Sequence, residues 1–327
     1  MRDRLLPQLG VLVTAIALAA IPRVPVAGQD RAAIPVKSAA AKRPAPWTPP
    51  RTSWGDPDFQ GIWNYATMTP LERPRDLAGK AVLTEDEAAA YERQVNERQA
   101  GGNNTAGPDW WDPGTRRLSD RRTSLIVDPP NGRIPPQTKD AQARAAARAL
   151  TRPDRLIPDG PEDLGLNERC ILWATAGPPM LPGVYNNNVQ FLQSRDYVVI
   201  FNEMIHDARI VPLDGRPHGT VRRWMGDPRG RWDGATLVVD SVNFTDKSNF
   251  RGSGEALHLI ERFTRMPDDT IQYQFTAEDA ETWTAPWTAT VSMRKTDGPI
   301  YEYACHDGNY KSMQGILLGA RIQDKDR

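Results

Sequence analysis

Residues 270–278 read Thr-Ile-Gln-Tyr-Gln-Phe-Thr-Ala-Glu and residues 287–294 read Trp-Thr-Ala-Thr-Val-Ser-Met-Arg. Ile271, Tyr273, Phe275 and Ala277 alternate with Gln272, Gln274, Thr276 and Glu278. Trp287, Ala289, Val291 and Met293 alternate in the same way with polar neighbours. A period of two marks a half-buried strand, because successive side chains of extended chain point to opposite faces. Working outward, strands are expected over 187–194, 197–205, 208–213, 220–225, 235–243, 257–266, 270–278, 286–295 and 300–305. Between them stand Asp214-Gly215, Asp233-Gly234, Pro267-Asp268-Asp269 and Asp297-Gly298, residues that suit tight turns. Connections this short give antiparallel neighbours, and many twisted strands in one sheet curl. The expected fold is mainly β, an antiparallel β-barrel or a strongly curved sheet.

The N-terminal half reads differently. Thr84 with Glu87 forms a capping box opening a helix over 85–100, closed by Gly101-Gly102, and the Ala/Arg-rich stretch 139–150 gives a second helix. Long loops fill the rest of 80–168. At the start of the chain, Arg2 and Arg4 precede an uncharged stretch from Leu9 to Ile21, followed by the small residues Val26-Ala27-Gly28. That order describes a secretory signal over 1–28, too short in its apolar part for the ~20 residues of a membrane span. A short N-terminal anchor is the alternative. Residues 29–52 are rich in Pro and Ala and read as a tether, leaving 53–327 as a single β-rich domain. Export to the periplasm or beyond would join Cys170 to Cys305, the two cysteines of the chain. Two buried free thiols are the other reading. With 41 Lys+Arg against 41 Asp+Glu and no basic run, nucleic acid is excluded as the main partner.

Two resemblances add to this. Gly61-Ile62-Trp63 resembles the Gly-x-Trp that opens the first strand of lipocalins and other calycin barrels, which implies a Trp63 plugging the closed end of a barrel. The blocks PDFQGIWNYATMTPLERP (57–74), RTSLIVDPPNGRIP (122–135), GPPMLPGVYNNNVQ (177–190), EMIHDARIVPLDGRPH (203–218), GRWDGATLVVDSVNF (230–244), LHLIERFTR (257–265) and GPIYEYACHDGNY (298–310) resemble a group of uncharacterised exported proteins of soil bacteria. That resemblance implies an exported, β-rich protein and carries no mechanism.

Candidate chemistry gathers at 203–209, where Glu203, His206, Asp207 and Arg209 interrupt a run of Val, Ile and Phe. Strand parity sets Glu203 on the face of Tyr197, Val199 and Phe201, and Glu261 on the face of Leu257, Leu259 and Phe263. Both carboxylates then point inward. A desolvated carboxyl without a compensating Arg209 or Arg262 has a raised pKa and suits general acid–base work, so Glu203, His206, Asp207, Arg209 and Glu261 form the candidate catalytic set of a lyase or hydrolase. A structural Glu–Arg pair is the alternative. No metal or cofactor is expected: the four histidines lack ligand spacing, and Glu203, His206, Asp207 and His218 make the best available metal set. Nucleotide-binding loops and a complete nucleophile elbow are absent, Arg251-Gly252-Ser253-Gly254 fitting only in part.

Tyr185, Asn187 and Asn188 suit sugar hydroxyls and ring stacking, although Asn also favours turns. Trp110 and Trp111 fit a lid over a barrel mouth. With Trp63, Tyr65 and Tyr273 these complete the candidate ligand-binding set, while Trp224, Trp232, Trp283 and Trp287 are assigned to the core. The leading functional expectation is a small organic or carbohydrate ligand at one open end of the sheet. An acid–base enzyme comes next, and an envelope scaffold or interaction module third.

Overall fold

A computed structural model describes residues 47–101, 114, 118–150, 158, 160–247 and 250–325. The signal and most of the tether, as well as Trp110 and Trp111, lie outside the described residues. The stretch from Trp47 onward forms one unit. Its strands are β1 (Gly61–Asn64), β2 (Ile126–Asp128), β3 (Asn188–Gln193), β4 (Tyr197–Asn202), β5 (Ala208–Pro212), β6 (Asp227–Asp233), β7 (Thr236–Val242), β8 (His258–Met266), β9 (Thr270–Glu278) and β10 (Trp287–Thr296). Helices are α1 (Glu85–Gly101), α2 (Lys139–Leu150) and α3 (Cys305–Lys325). The capping box predicted for α1 is present: Glu87 N–H donates to Thr84 Oγ1 at 3.3 Å and Thr84 N–H to Glu87 Oε2 at 2.9 Å.

The ten strands form one antiparallel sheet in the order β5-β4-β3-β1-β10-β9-β8-β7-β6, with β2 also on β10. Of the two forms expected, the curved sheet is the one observed, since no ladder of hydrogen bonds joins β5 to β6. The curvature nonetheless brings these two edges together. A Cβ on Gly230 of β6 would lie 2.7 Å from Val211 of β5 and 2.6 Å from Leu213 just beyond it, so any larger residue would push these side chains aside.

Inward residues of the sheet make a single aromatic core. Trp63, Phe191, Phe263, Tyr273, Phe275 and Trp287 are fully buried. Phe263 stacks on Tyr273 at 4.8 Å, and Phe275 meets Trp287 edge-on at 5.4 Å. Each such burial contributes about 1.5–3 kcal/mol of transfer free energy. Trp283 belongs to this core, Trp232 packs against it half-buried, and Trp224 lines a cavity instead.

The sheet's two ends differ. Near the β8–β9 turn, the Arg265 guanidinium sits 4.5 Å over the Trp63 ring and bonds Asp269 at 2.7 Å, while Trp63 Nε1 donates to Phe59 O at 2.9 Å. Trp63 is therefore held within the core and is not a ligand contact. By register, the C-termini of β1, β4, β7 and β9 and the N-termini of β3, β5, β6, β8 and β10 share the opposite end.

Four expectations need correction. The strand expected at 220–225 lies at 227–233, where Pro228 and Gly230 mimic a turn but are tolerated because β6 is an edge. The strand over 197–205 stops at Asn202, because Ile205 and His206 adopt left-handed φ of 57° and 47°. Residues 300–304 form no strand, and the helix α3 that follows was not anticipated. The tether gives way to ordered chain slightly early: Thr52 is buried and Arg51 bridges Pro57.

Candidate functional site

The segment from Asn202 to Arg209 is held at the sheet end opposite Trp63. Asn202 N–H donates to Asp207 O at 2.8 Å, Glu203 N–H to Asn188 O at 3.0 Å, and His206 N–H to Glu203 O at 3.2 Å. This tight turn, strained at Ile205 and His206, takes Glu203 out of strand parity: the buried face of β4 is Val198, Ile200 and Asn202, not Val199 and Phe201. Glu203 is buried all the same, at 2% exposure. One carboxylate oxygen accepts from Tyr301 N–H at 3.3 Å, and no protein group bonds the other, Oε2.

Glu261 does point inward, as its parity requires, and it meets Arg209. The guanidinium grips it in two contacts of 2.5 and 3.0 Å, with side-chain exposures of 1% and 0%. Tyr273 OH donates to Glu261 Oε1 at 2.7 Å and accepts from Met180 N–H at 3.0 Å. Burial pulls the Arg209 pKa down, but the Glu261 charge and hydrogen bonds outweigh it and hold it above its ordinary value. Burial, reinforced by Glu261, pushes Tyr273 well up. Tyr65, also in the core, is raised by burial and by the charge of Glu203, with Arg209 opposing. Burial lifts Asp207 to about 6, and His206 and Arg209 pull against it.

The acid–base set therefore does not converge. Glu261 is consumed by a structural ion pair, the alternative the sequence left open, and Arg262 pairs with Asp233 instead. His206 is exposed, its ring 3.2 Å from Tyr303 O. His218 lies apart, between Asp227 O at 2.9 Å and Asp240 at 3.1 Å. Among the described residues no group of three or more His, Cys, Asp or Glu is placed to hold a metal ion.

Two cavities adjoin at this end. The first, about 740 Å³, is walled by Pro70, Leu71, Leu125, Leu181, Val184, Met204, Trp224, Phe244, Phe250 and Leu257, with Arg251 as its charged member. The second, about 1060 Å³, is polar: Asn167, Glu168, Asn186, Asn187, Asn188, Glu203 and the stretch Tyr301–Cys305 face it. Trp173 and Tyr185 belong to both walls. Tyr185 stacks on Tyr303 at 6.5 Å, and Trp173 meets Tyr303 edge-on at 6.2 Å. The disulfide Cys170–Cys305 is formed and ties the second wall to the 160–173 loop.

Of the expected ligand contacts, Tyr185, Asn187 and Asn188 line the second cavity, whereas Tyr65 and Tyr273 are buried in the core. Asn187 clamps the Pro-Gly loop, accepting from Gly183 N–H at 2.7 Å and donating to Gly183 O at 3.2 Å. Asn188 Oδ1 accepts from Asn64 at 3.0 Å. The aromatic partners Trp173 and Tyr303 and the apolar wall at Phe244, Phe250 and Leu257 were not singled out as site residues. The clustered aromatics of GPIYEYACHDGNY (298–310) were the available signal for Tyr303.

No protein-family model and no curated protein matches the chain. Among solved structures, a crystal structure of a mutant of the fluorescent protein UnaG is similar at 10% identity, covering 34% of this chain and 72% of that one, with a TM-score of 0.23. No described helix is long and apolar enough to cross a membrane.

Proposed function

We propose that this is an exported binding protein that takes a small organic molecule with an apolar body into the 740 Å³ cavity. The curved sheet then acts as a barrel-like cup, plugged at one end and loaded at the other. The observation that carries the reading is the contrast between the ends: at one, Arg265 packs over the buried Trp63 ring, while the other holds a hollow walled by apolar side chains from several loops. Its volume falls within the range of about 300–1,000 Å³ usual for small-molecule sites. The disulfide supports an oxidising compartment, periplasmic or extracellular.

The test uses the neutral fluorescent dye N-phenyl-1-naphthylamine. Val184 lies on the cavity rim and is 49% exposed, so Val184→Trp fills the entrance without disturbing the core. The native protein should show saturable fluorescence enhancement at one site, weakened at least about tenfold in Val184→Trp with thermal stability unchanged. Absence of saturable binding, or equal binding by the variant, overturns the reading.

A further inference from the structure

The second cavity has a chemical character of its own. Its charged lining residues are Glu168, Glu203 and Glu302, and among the described residues facing it there is no Lys, Arg or His. Glu168 and Glu302 are exposed, but Glu203 is not: at 2% exposure it lines the cavity with Oε2 lacking a partner. A buried carboxylate oxygen without a donor is strongly disfavoured, so such groups are normally paired. Beside it stand the rings of Trp173, Tyr185 and Tyr303, whose π faces attract cations. The amides of Asn186 and Asn188 and the main chain of 301–305 complete a polar surround.

We infer that this cavity is a binding site for an organic ammonium ion, with the positive charge held beside the Glu203 carboxylate and the organic part packed on the Tyr185–Tyr303 stack. The negative charge of the carboxylate and the π faces of the aromatic wall are both complemented by one such molecule. A neutral sugar would satisfy the amides but leave the carboxylates uncompensated. The inference does not depend on the apolar cavity being occupied, since Glu203 and Tyr303 belong to the second cavity alone.

The experiment compares benzylammonium with its neutral counterpart benzyl alcohol on the oxidised, full-length protein at pH 7, by calorimetry or ligand-observed NMR. Benzylammonium should bind one site at least about tenfold more tightly than benzyl alcohol, because hydrogen bonds to a charged group carry most of the difference. Glu203→Gln should remove that preference, and Val184→Trp should leave both affinities untouched. If Glu203→Gln does not fold, Tyr303→Ala serves in its place and should weaken benzylammonium binding several-fold. Equal affinity of the two probes for the native protein overturns the inference. So does an unaltered preference in the variants, or methyl glucoside binding more tightly than benzylammonium. Loss of dye binding with the ammonium preference intact would count against the proposed function only.

Discussion

Replacing Arg209 by Met tests the interior of the sheet most directly. The substitution keeps much of the apolar stem but leaves Glu261, 0% exposed, with Tyr273 OH as its remaining hydrogen-bond donor. Breaking one side of a buried, bidentate pair costs about 3–5 kcal/mol, chiefly because an uncompensated charge is stranded. At about 2–4 °C per kcal/mol for a chain of this size, the melting temperature should fall by roughly 6–20 °C. The double variant Arg209→Met/Glu261→Met removes both charges. It should regain most of the loss and retain a deficit of about 1–2 kcal/mol, because Tyr273 OH then lacks its acceptor. Urea unfolding followed by tryptophan fluorescence, analysed as a double-mutant cycle, gives the coupling. Additive single effects, or a cost below about 1 kcal/mol for Arg209→Met, would refute a dry ion pair at the core of the curve.

Two further outcomes follow from the geometry. Asp207 has a folded-state pKa of about 6 against an ordinary 3.8, so the folded form holds the proton more tightly than the unfolded chain. Its contribution is fully present below pH 4 and is lost as pH rises through 6. Asp207→Asn should therefore flatten the denaturation midpoint between pH 4 and 6 and exceed the native protein in stability above that window, and identical pH profiles would contradict this. Gly230→Ala should destabilise by about 1–3 kcal/mol through overpacking against Val211 and Leu213. Gly254→Ala, with open space around its Cβ, should stay within about 0.5 kcal/mol in the same thermal melt.

What was legible in the sequence is what local patterning controls. The period-two runs of β8, β9 and β10 place Leu259, Glu261, Phe263, Tyr273 and Phe275 inside because one face of each strand is buried, and the capping box of α1 is a four-residue signal. The inward Glu261 was readable and Arg209 stood among its candidate partners, but the choice of Arg209 over Arg262 was not, since Arg209 reaches it from β5, six strands away along the sheet order. Glu203 was selected by a parity that ends one residue before it, and the left-handed turn that redirects it leaves no mark in Met204-Ile205-His206. Edge tolerance hid β6, because Pro228 and Gly230 are poor strand residues in any other position. The cavities arise where loops distant in sequence meet, such as 67–71, 172–185 and 244–257, and no local pattern encodes that meeting.

The meeting of β5 and β6 has a mechanical implication. Side chains press together across that seam, yet no ladder stitches it, so this is where the cup can gape with the fewest bonds broken. Parting the lips would bare two ribbons of unmet amides at once, each a template for the matching ribbon of another molecule. Heat or crowding should then drive edge-to-edge strings of intact cups, rather than tangles of unravelled chain.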